Sequence, residues 1–242
     1  MSPEEIKAEL ARPAVEFTTG GFRPTYAATE SWLGRVYLGR PGETLPLDAQ
    51  GRPMWPLLQL VLAGLPAVPS ELAATQALTV FIGQEPPIGI EPAPNGQNWL
   101  LREYPQGEAL VLLELPCPTS PLKPFPLQAG AVVTDYPVWD GGGADHLAEE
   151  IVALERAGRI SSYYDLVENH YGHKLGGWPT FCQPGIEFSP GFEFVLQIAS
   201  DAKAQLNIVD GGAIFLAKMR PPGSGSFTAT FTEELATAAM AH

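Results

Sequence analysis

HKLGGWPTFCQ beginning at His173, EFVLQIASD beginning at Glu193 and DGGAIFLAK beginning at Asp210 decide how the chain reads. Two runs within this stretch, FVLQI at 194–198 and AIFL at 213–216, are of strand length and rich in aromatic and β-branched residues. They are bounded by Gly, Pro, Ser and Asp, and predict interior strands. Between them Asp210, Gly211 and Gly212 tolerate positive φ, so the chain can reverse there at little steric cost. The same residues could cradle an anion, but a single Gly pair signals a turn far more specifically.

A fainter copy of the stretch lies upstream. Leu33-Gly34, Leu58-Gln59-Leu60 and Val80-Phe81-Ile82 follow one another in the order of Leu175-Gly176, Leu196-Gln197-Ile198 and Ile214-Phe215-Leu216. Both intervals are four residues shorter in the later copy, a difference that loop insertions explain. The repeat predicts two pseudo-equivalent halves from internal duplication, residues 1–125 and 126–242, packed as one compact unit. It places Gln59, Gln197, Gly176, Gly177, Asp210 and Gly211 in the repeated core. A glutamine inside an apolar run needs a buried partner, so Gln59 and Gln197 are expected at matching places on interior strands.

The string K-L-G-G-W-P at 174–179, L-Q-I at 196–198 and D-G-G at 210–212 with the apolar run after it resembles the YwqG-like family, a domain of unknown function. The resemblance covers the second half best. The Gly-Gly-x-Pro element usual in the family's early copy reads Gly34-Arg35-Val36-Tyr37 here. The resemblance implies a duplicated, β-rich α+β fold with no established catalytic residues. An association of relatives with secreted-toxin genes implies that an antagonist of a protein toxin is one version of a binding role.

With 242 residues, folding buries roughly 70% of the unfolded chain's surface, enough for a large core without disulfides or metals. Twenty-five Gly and 25 Pro punctuate the apolar runs, which predicts many short, mostly antiparallel strands joined by Pro-rich loops, and few helices. No apolar stretch is long enough to span a bilayer, and the first dozen residues lack a signal-peptide core, so a soluble, cytoplasmic protein without membrane association is expected. Two cysteines, Cys117 and Cys182, make no disulfide framework and are expected reduced and partly buried.

The net charge of −13 repels phosphate backbones, which argues against nucleic acid as a partner. The acidity concentrates in residues 133–168, where Asp135, Asp140, Asp145, Glu149, Glu150, Glu155, Asp165 and Glu168 face only Arg156 and Arg159. Such a face is either simply solvated or a dock for a basic protein partner. On the second reading its contact residues are Asp140, Gly142, Asp145, Glu149, Glu150 and Glu155.

The remaining chain predicts a short helix capped by Ser2, extended or loop structure over 15–23, and a strand over 32–38 interrupted at Gly34. Further strands are expected at 54–63 and 78–82, and a Pro-rich surface loop at 84–96. Residues 98–103 and 109–115 read as a strand pair whose second member is core, and the prolines of 116–126 as an extended connector between halves. A short strand at 131–134 precedes a helix capped by Asp145, with Leu147, Ile151 and Leu154 inward and Gly158 ending it. A second helix is expected over 161–170, an amphipathic edge strand over 226–231, and a helical Ala-rich tail from Glu233.

Three constellations could carry chemistry. His170 and His173 with Cys182 offer three zinc ligands, but no paired-cysteine or paired-histidine motif supports them, so no metal is expected. Cys182 with His173 could form a thiolate and its base, against the commoner buried, inert thiol. The Gly-rich run from Asp140 to Gly143 ahead of a helix could hold an anion, though it lacks a P-loop's Lys and its neighbouring carboxylates repel phosphate. No cofactor is expected. The chain therefore reads as a non-catalytic interaction module. Its alternative is an enzyme or small-ligand binder with a site between the halves, and the oligomeric state stays open.

Overall fold

The computed structural model describes residues 1–181, 186–220 and 225–232. Ser2 accepts a hydrogen bond from the Glu5 backbone while Glu5 reaches back to the Ser2 N–H, a reciprocal cap that starts α1 (Pro3–Leu10). The strands of the first half are β1 (Arg12–Thr19), β2 (Ser31–Leu33), β3 (Leu38–Gly39), β4 (Trp55–Val61), β5 (Thr75–Ile82), β6 (Gly89–Pro94), β7 (Trp99–Pro105) and β8 (Val111–Leu112). The second half contributes β9 (Phe125–Asp135), then α2 (Ala148–Arg156), then β10 (His173–Gly176), β11 (Phe192–Ala199), β12 (Ala213–Met219) and β13 (Phe227–Thr232). Among the described residues these are the only two α-helices, and neither is long and apolar enough to cross a membrane.

Eleven strands form one antiparallel sheet in the order β6-β13-β12-β11-β10-β1-β9-β2-β4-β5-β7, and β3 pairs with β8 apart from it. The sheet curls into a half-barrel, because its two ends, β6 and β7, are consecutive in the chain. Trp99 of β7 donates its indole N–H to the Ala93 carbonyl of β6 at 3.2 Å, and Lys218 of β12 reaches Glu103 of β7 at 2.5 Å. Alternate residues of every long strand point into the curl. Leu58 and Leu60, Leu78 and Val80, Leu196 and Ile198, Ile214 and Leu216, and Phe227 and Phe231 share one core there with Val15, Phe17, Leu127 and Leu175. Each such side chain contributes about 1.5–3 kcal/mol on burial. Apart from this core, α1 and α2 share a second cluster through Ile6, Leu10, Ile151 and Leu154, with Leu147, Tyr163 and Leu166.

The pairing places the two glutamines in corresponding registers. Gln59 on β4 lies opposite Trp32 of β2 and Thr79 of β5, and Gln197 on β11 lies opposite Lys174 of β10 and Phe215 of β12. A bulge precedes each glutamine at the same distance, with Leu57 and Val195 as the extra residues. Each buried amide ties the chain before its short strand to the chain after it. Gln59 donates to the Glu30 carbonyl and accepts from the Tyr37 and Leu38 N–H groups, while Gln197 donates to the Tyr171 and Gly172 carbonyls and accepts from Thr180. Gly34 and Gly176 end these short strands at φ +74° and +77°. A Cβ there would lie 2.7 Å from the Lys123 carbonyl oxygen and 2.8 Å from that of Pro13, so neither position admits a side chain.

Several expectations need correction. Of the extended or loop structure expected over 15–23, the residues to Thr19 are extended and belong to β1, which starts earlier, at Arg12, and sits mid-sheet between β10 and β9. The strand expected at 131–134 is the end of an eleven-residue β9, whose alternation is hidden by Pro126 and by a bulge where Gly130 and Ala131 oppose Glu16. Residues 109–115 are not core and do not pair with 98–103. β7 pairs β5, and Val111 and Leu112 are 38% and 58% exposed on β8 against β3. The supposed loop at 84–96 contains β6, an outermost strand where the missing N–H of Pro94 is tolerated. Conversely, 226–231 is not the edge: β13 is buried throughout because β6 covers it. The helix expected over 161–170 is a single 3-10 turn at Tyr163–Asp165. Asp145 caps nothing, since α2 starts at Ala148 after a short 3-10 turn. Cys117 is a half-buried free thiol, while Cys182 and the tail from Glu233 lie outside the described residues.

Replacing Gln59 or Gln197 by Leu leaves backbone N–H and C=O groups buried without partners, and each change should lower unfolding stability by about 3 kcal/mol. Urea midpoints at constant m-value measure it. A loss below about 0.5 kcal/mol at either site contradicts the clamp.

Candidate functional site

The sheet's outer face carries a sealed ion pair. Asp135 ends β9 opposite Arg12, and Lys174 on β10 lies beside Glu16 of β1. Both side chains of the Lys174–Asp135 pair are 0% exposed, with Nζ and Oδ2 2.6 Å apart. The same oxygen accepts the Trp178 N–H at 2.7 Å, which positions the turn after β10. Gly177 makes that turn at φ +73°, and any Cβ would fall 2.3 Å from Asp135 Oδ2. Burial pushes the Lys174 ammonium down, and Asp135 opposes the shift. Because the amine is sealed, no substrate reaches it. Asp135 consequently does not belong to the exposed acidic face in which its sequence position had placed it.

Beside this pair, a cleft of about 290 Å³ opens between the halves. It is lined by Arg12 and Pro13 of β1, the β4–β5 connection at 67–71, Leu175 to Gly177 at the end of β10, Glu193 and Phe194 of β11, and Arg220. Arg12 stacks on Trp178, its Cζ 3.3 Å from the ring centroid, and the indole is itself held by a 2.7 Å bond to the Leu10 carbonyl. Arg220 bridges Glu71 at 2.9 Å and Glu193 at 3.4 Å. Burial raises the Glu71 carboxyl, but hydrogen bonds from its own N–H, Arg220 and Ser70 outweigh it and hold the group below its ordinary value. Burial is also the largest influence on Arg12, pulling it down while Glu193 and Glu71 oppose.

The two histidines of the zinc candidate serve separate partners. His170 Nδ1 meets Glu16 at 3.0 Å. His173 Nδ1 accepts the Ala199 N–H at 3.1 Å, so Nε2 carries the ring proton toward Asp201 at 3.4 Å. Asp201 also accepts from the Thr19 hydroxyl and the Ala204 N–H. The His173 bond, then Thr19 and Ala204, hold its carboxyl well below the usual carboxylate range against burial. Among the described residues no group of three His, Cys, Asp or Glu side chains could hold a metal ion. Cys182 lies outside them, so the zinc and thiolate constellations cannot be assembled from described atoms.

The Gly-rich run is packed shut. A Cβ on Gly143 would lie 2.6 Å from Pro137 and 2.7 Å from Trp178, so this glycine permits close packing and does not open an anion cradle. Gly142 ends a 3-10 turn at φ +79°. Asp210 and Gly211 adopt positive φ at the end of a loop over 200–212, longer than the tight turn expected. There the Gly211 and Gly212 N–H groups are taken by Asn207 and Ile208. Asp140, Asp145 and Glu149 are exposed, Glu150 and Glu155 partly so, and none of the five forms an ion pair among the described residues. The Arg12–Trp178 stack was missed in the sequence, where its signal was a lone Arg before Pro13 and a Trp inside the K-L-G-G-W-P string.

Two measurements test this geometry. Lys174→Met strands a buried carboxylate and should cost about 3–5 kcal/mol, with Lys174→Met/Asp135→Asn costing less than the sum of the single changes in a denaturation cycle. Asp201 has a depressed pKa when folded, so its stabilisation is present above the ordinary aspartate value near 4 and lost as pH falls below it. Thermal unfolding scanned from neutral to acid pH should therefore show a flatter profile for Asp201→Asn than for the unaltered protein, and parallel profiles would reject the assignment.

Comparison of the chain with protein-family models and with curated proteins found no match.

Proposed function

We propose that the chain is a non-catalytic binding module of the α+β class, cytoplasmic, built from two duplicated halves, with its partner surface on the acidic layer around α2. The observation that carries the reading is the unspent charge of Asp140, Asp145, Glu149, Glu150 and Glu155, which make no ion pair among the described residues. Other carboxylates of the outer face and the cleft rim, Asp135, Glu16 and Glu71, are engaged with Lys174, His170 and Arg220. A surplus of negative charge on a surface suits a basic protein. Duplication is supported by the matched registers of Gln59 and Gln197, the matched bulges and the matched glycines. The resemblance to the YwqG-like family extends the reading to an antagonist of a basic protein toxin.

A second reading, a small-ligand binder with its site between the halves, is favoured by the cleft at Arg12. A catalytic role finds less support: Lys174 is sealed and His173 is tied by both ring nitrogens.

The test is capture from native lysate at low and high salt, with the unaltered chain and with a Glu149→Gln/Glu150→Gln/Glu155→Gln variant. A partner on this face should be basic and bound roughly tenfold more weakly after the triple change, with a comparable loss in high salt. Binding indifferent to both salt and substitution removes this face from consideration.

A further inference from the structure

Among the described residues, the Arg12 guanidinium makes no hydrogen bond and no ion pair, although it is half-buried and lines the cleft. An arginine in such a place ordinarily has an acceptor, since it carries five N–H donors and cannot shed its charge. Its plane is fixed by stacking on Trp178, and Trp178 is anchored through both its indole and its backbone N–H, to Leu10 and Asp135. The guanidinium edge is therefore preorganised for a planar, two-pronged acceptor.

The other charged residues of the lining have the reverse imbalance. Arg220 serves two carboxylates, Glu71 closely and Glu193 at 3.4 Å, and Glu193 remains about one-third exposed. Glu193 and Glu71 act on Arg12 through space, yet neither reaches hydrogen-bonding distance of it. One cleft thus holds an unsatisfied guanidinium on β1 and an under-neutralised carboxylate on β11. A plain polyanion would be repelled by the two glutamates, and a plain cation would leave Arg12 without an acceptor. A cleft of about 290 Å³ suits a small molecule.

From this arrangement we infer that the cleft binds a small zwitterion, a free α-amino acid, with its carboxylate on Arg12 and its ammonium on Glu193. The inference rests on the small-ligand reading of the cleft and is independent of the acidic layer around α2.

The test titrates the full chain with the common L-amino acids one at a time, and with acetate and methylammonium as half-ligands. Unfolding temperature and the indole N–H resonance of Trp178, assigned by its loss in Trp178→Phe, report binding. At least one amino acid should raise the unfolding temperature and shift that resonance, with acetate and methylammonium at least about tenfold weaker. Arg12→Gln and Glu193→Gln should each weaken binding by about tenfold or more. If Arg12→Gln fails to fold, Arg12→Lys, which keeps the charge and removes the fork, should give the same loss. Acetate binding as tightly as any amino acid would leave a ligand site but overturn the zwitterion. No response to any probe would overturn both the zwitterion and the small-ligand reading of the cleft.

Discussion

The antiparallel pairing of β1 with β9 is the constraint on which the rest of the fold depends. Each of these strands opens one half and gives its free side to the other half's shortest strand in the main sheet, β1 to β10 and β9 to β2. Strands of three and four residues are too short to hold themselves in a sheet. They persist because a long neighbour flanks each on one side and a bulged, glutamine-bearing strand on the other. Gly34 and Gly176 stand where the short strands leave the sheet past the backbone of the exchanged partner, which is why neither tolerates a Cβ.

The halves depart from one another where the outer face matters most. Trp32 and Lys174 hold equivalent register positions, one opposite Gln59 and one opposite Gln197. In the first half the tryptophan stacks with Tyr26 and donates to the Tyr37 hydroxyl, with Arg35 over the rings. In the second half the lysine is buried on Asp135. The clamps differ in the same region. Tyr37 and Leu38 supply two backbone donors to Gln59, whereas Pro179 has no N–H and the Thr180 hydroxyl supplies the second donor to Gln197. A charged pair excluded from water is seldom a net gain in stability, but it fixes geometry, and here it fixes the Gly177–Trp178 turn, whose glycine lines the cleft and whose indole carries Arg12.

How much of this was legible in the chain depended on whether a signal was local. β11 and β12 announce themselves by continuous apolar runs because both their faces are covered, and Ser2 with Glu5 announces α1. Gln59 and Gln197 stood out as polar residues where only apolar ones were expected. β1 and β9 did not stand out, since Pro13, Pro126 and Gly130 break their alternation and their strand character comes from pairing across more than a hundred residues of chain. The apolar run at 109–115 misled for the converse reason: hydrophobicity without a sheet neighbour leaves Val111 and Leu112 on the surface. Of the site, the acidic residues were readable one by one, but burial of Asp135 by Lys174 and the gap around Arg12 exist only in three dimensions.

The exchange of first strands also governs how the molecule comes into being. During synthesis β1 is made more than a hundred residues before either of its neighbours, both of which lie beyond residue 124, so it has no sheet to join until they follow. The same holds for β2 on its β9 side. Until then the apolar faces of β4 and β5 are exposed beside an unfilled slot, and closure waits on contacts of long sequence separation, the slow kind. The nascent chain thus passes through an interval in which its apolar surface is open to association with other chains.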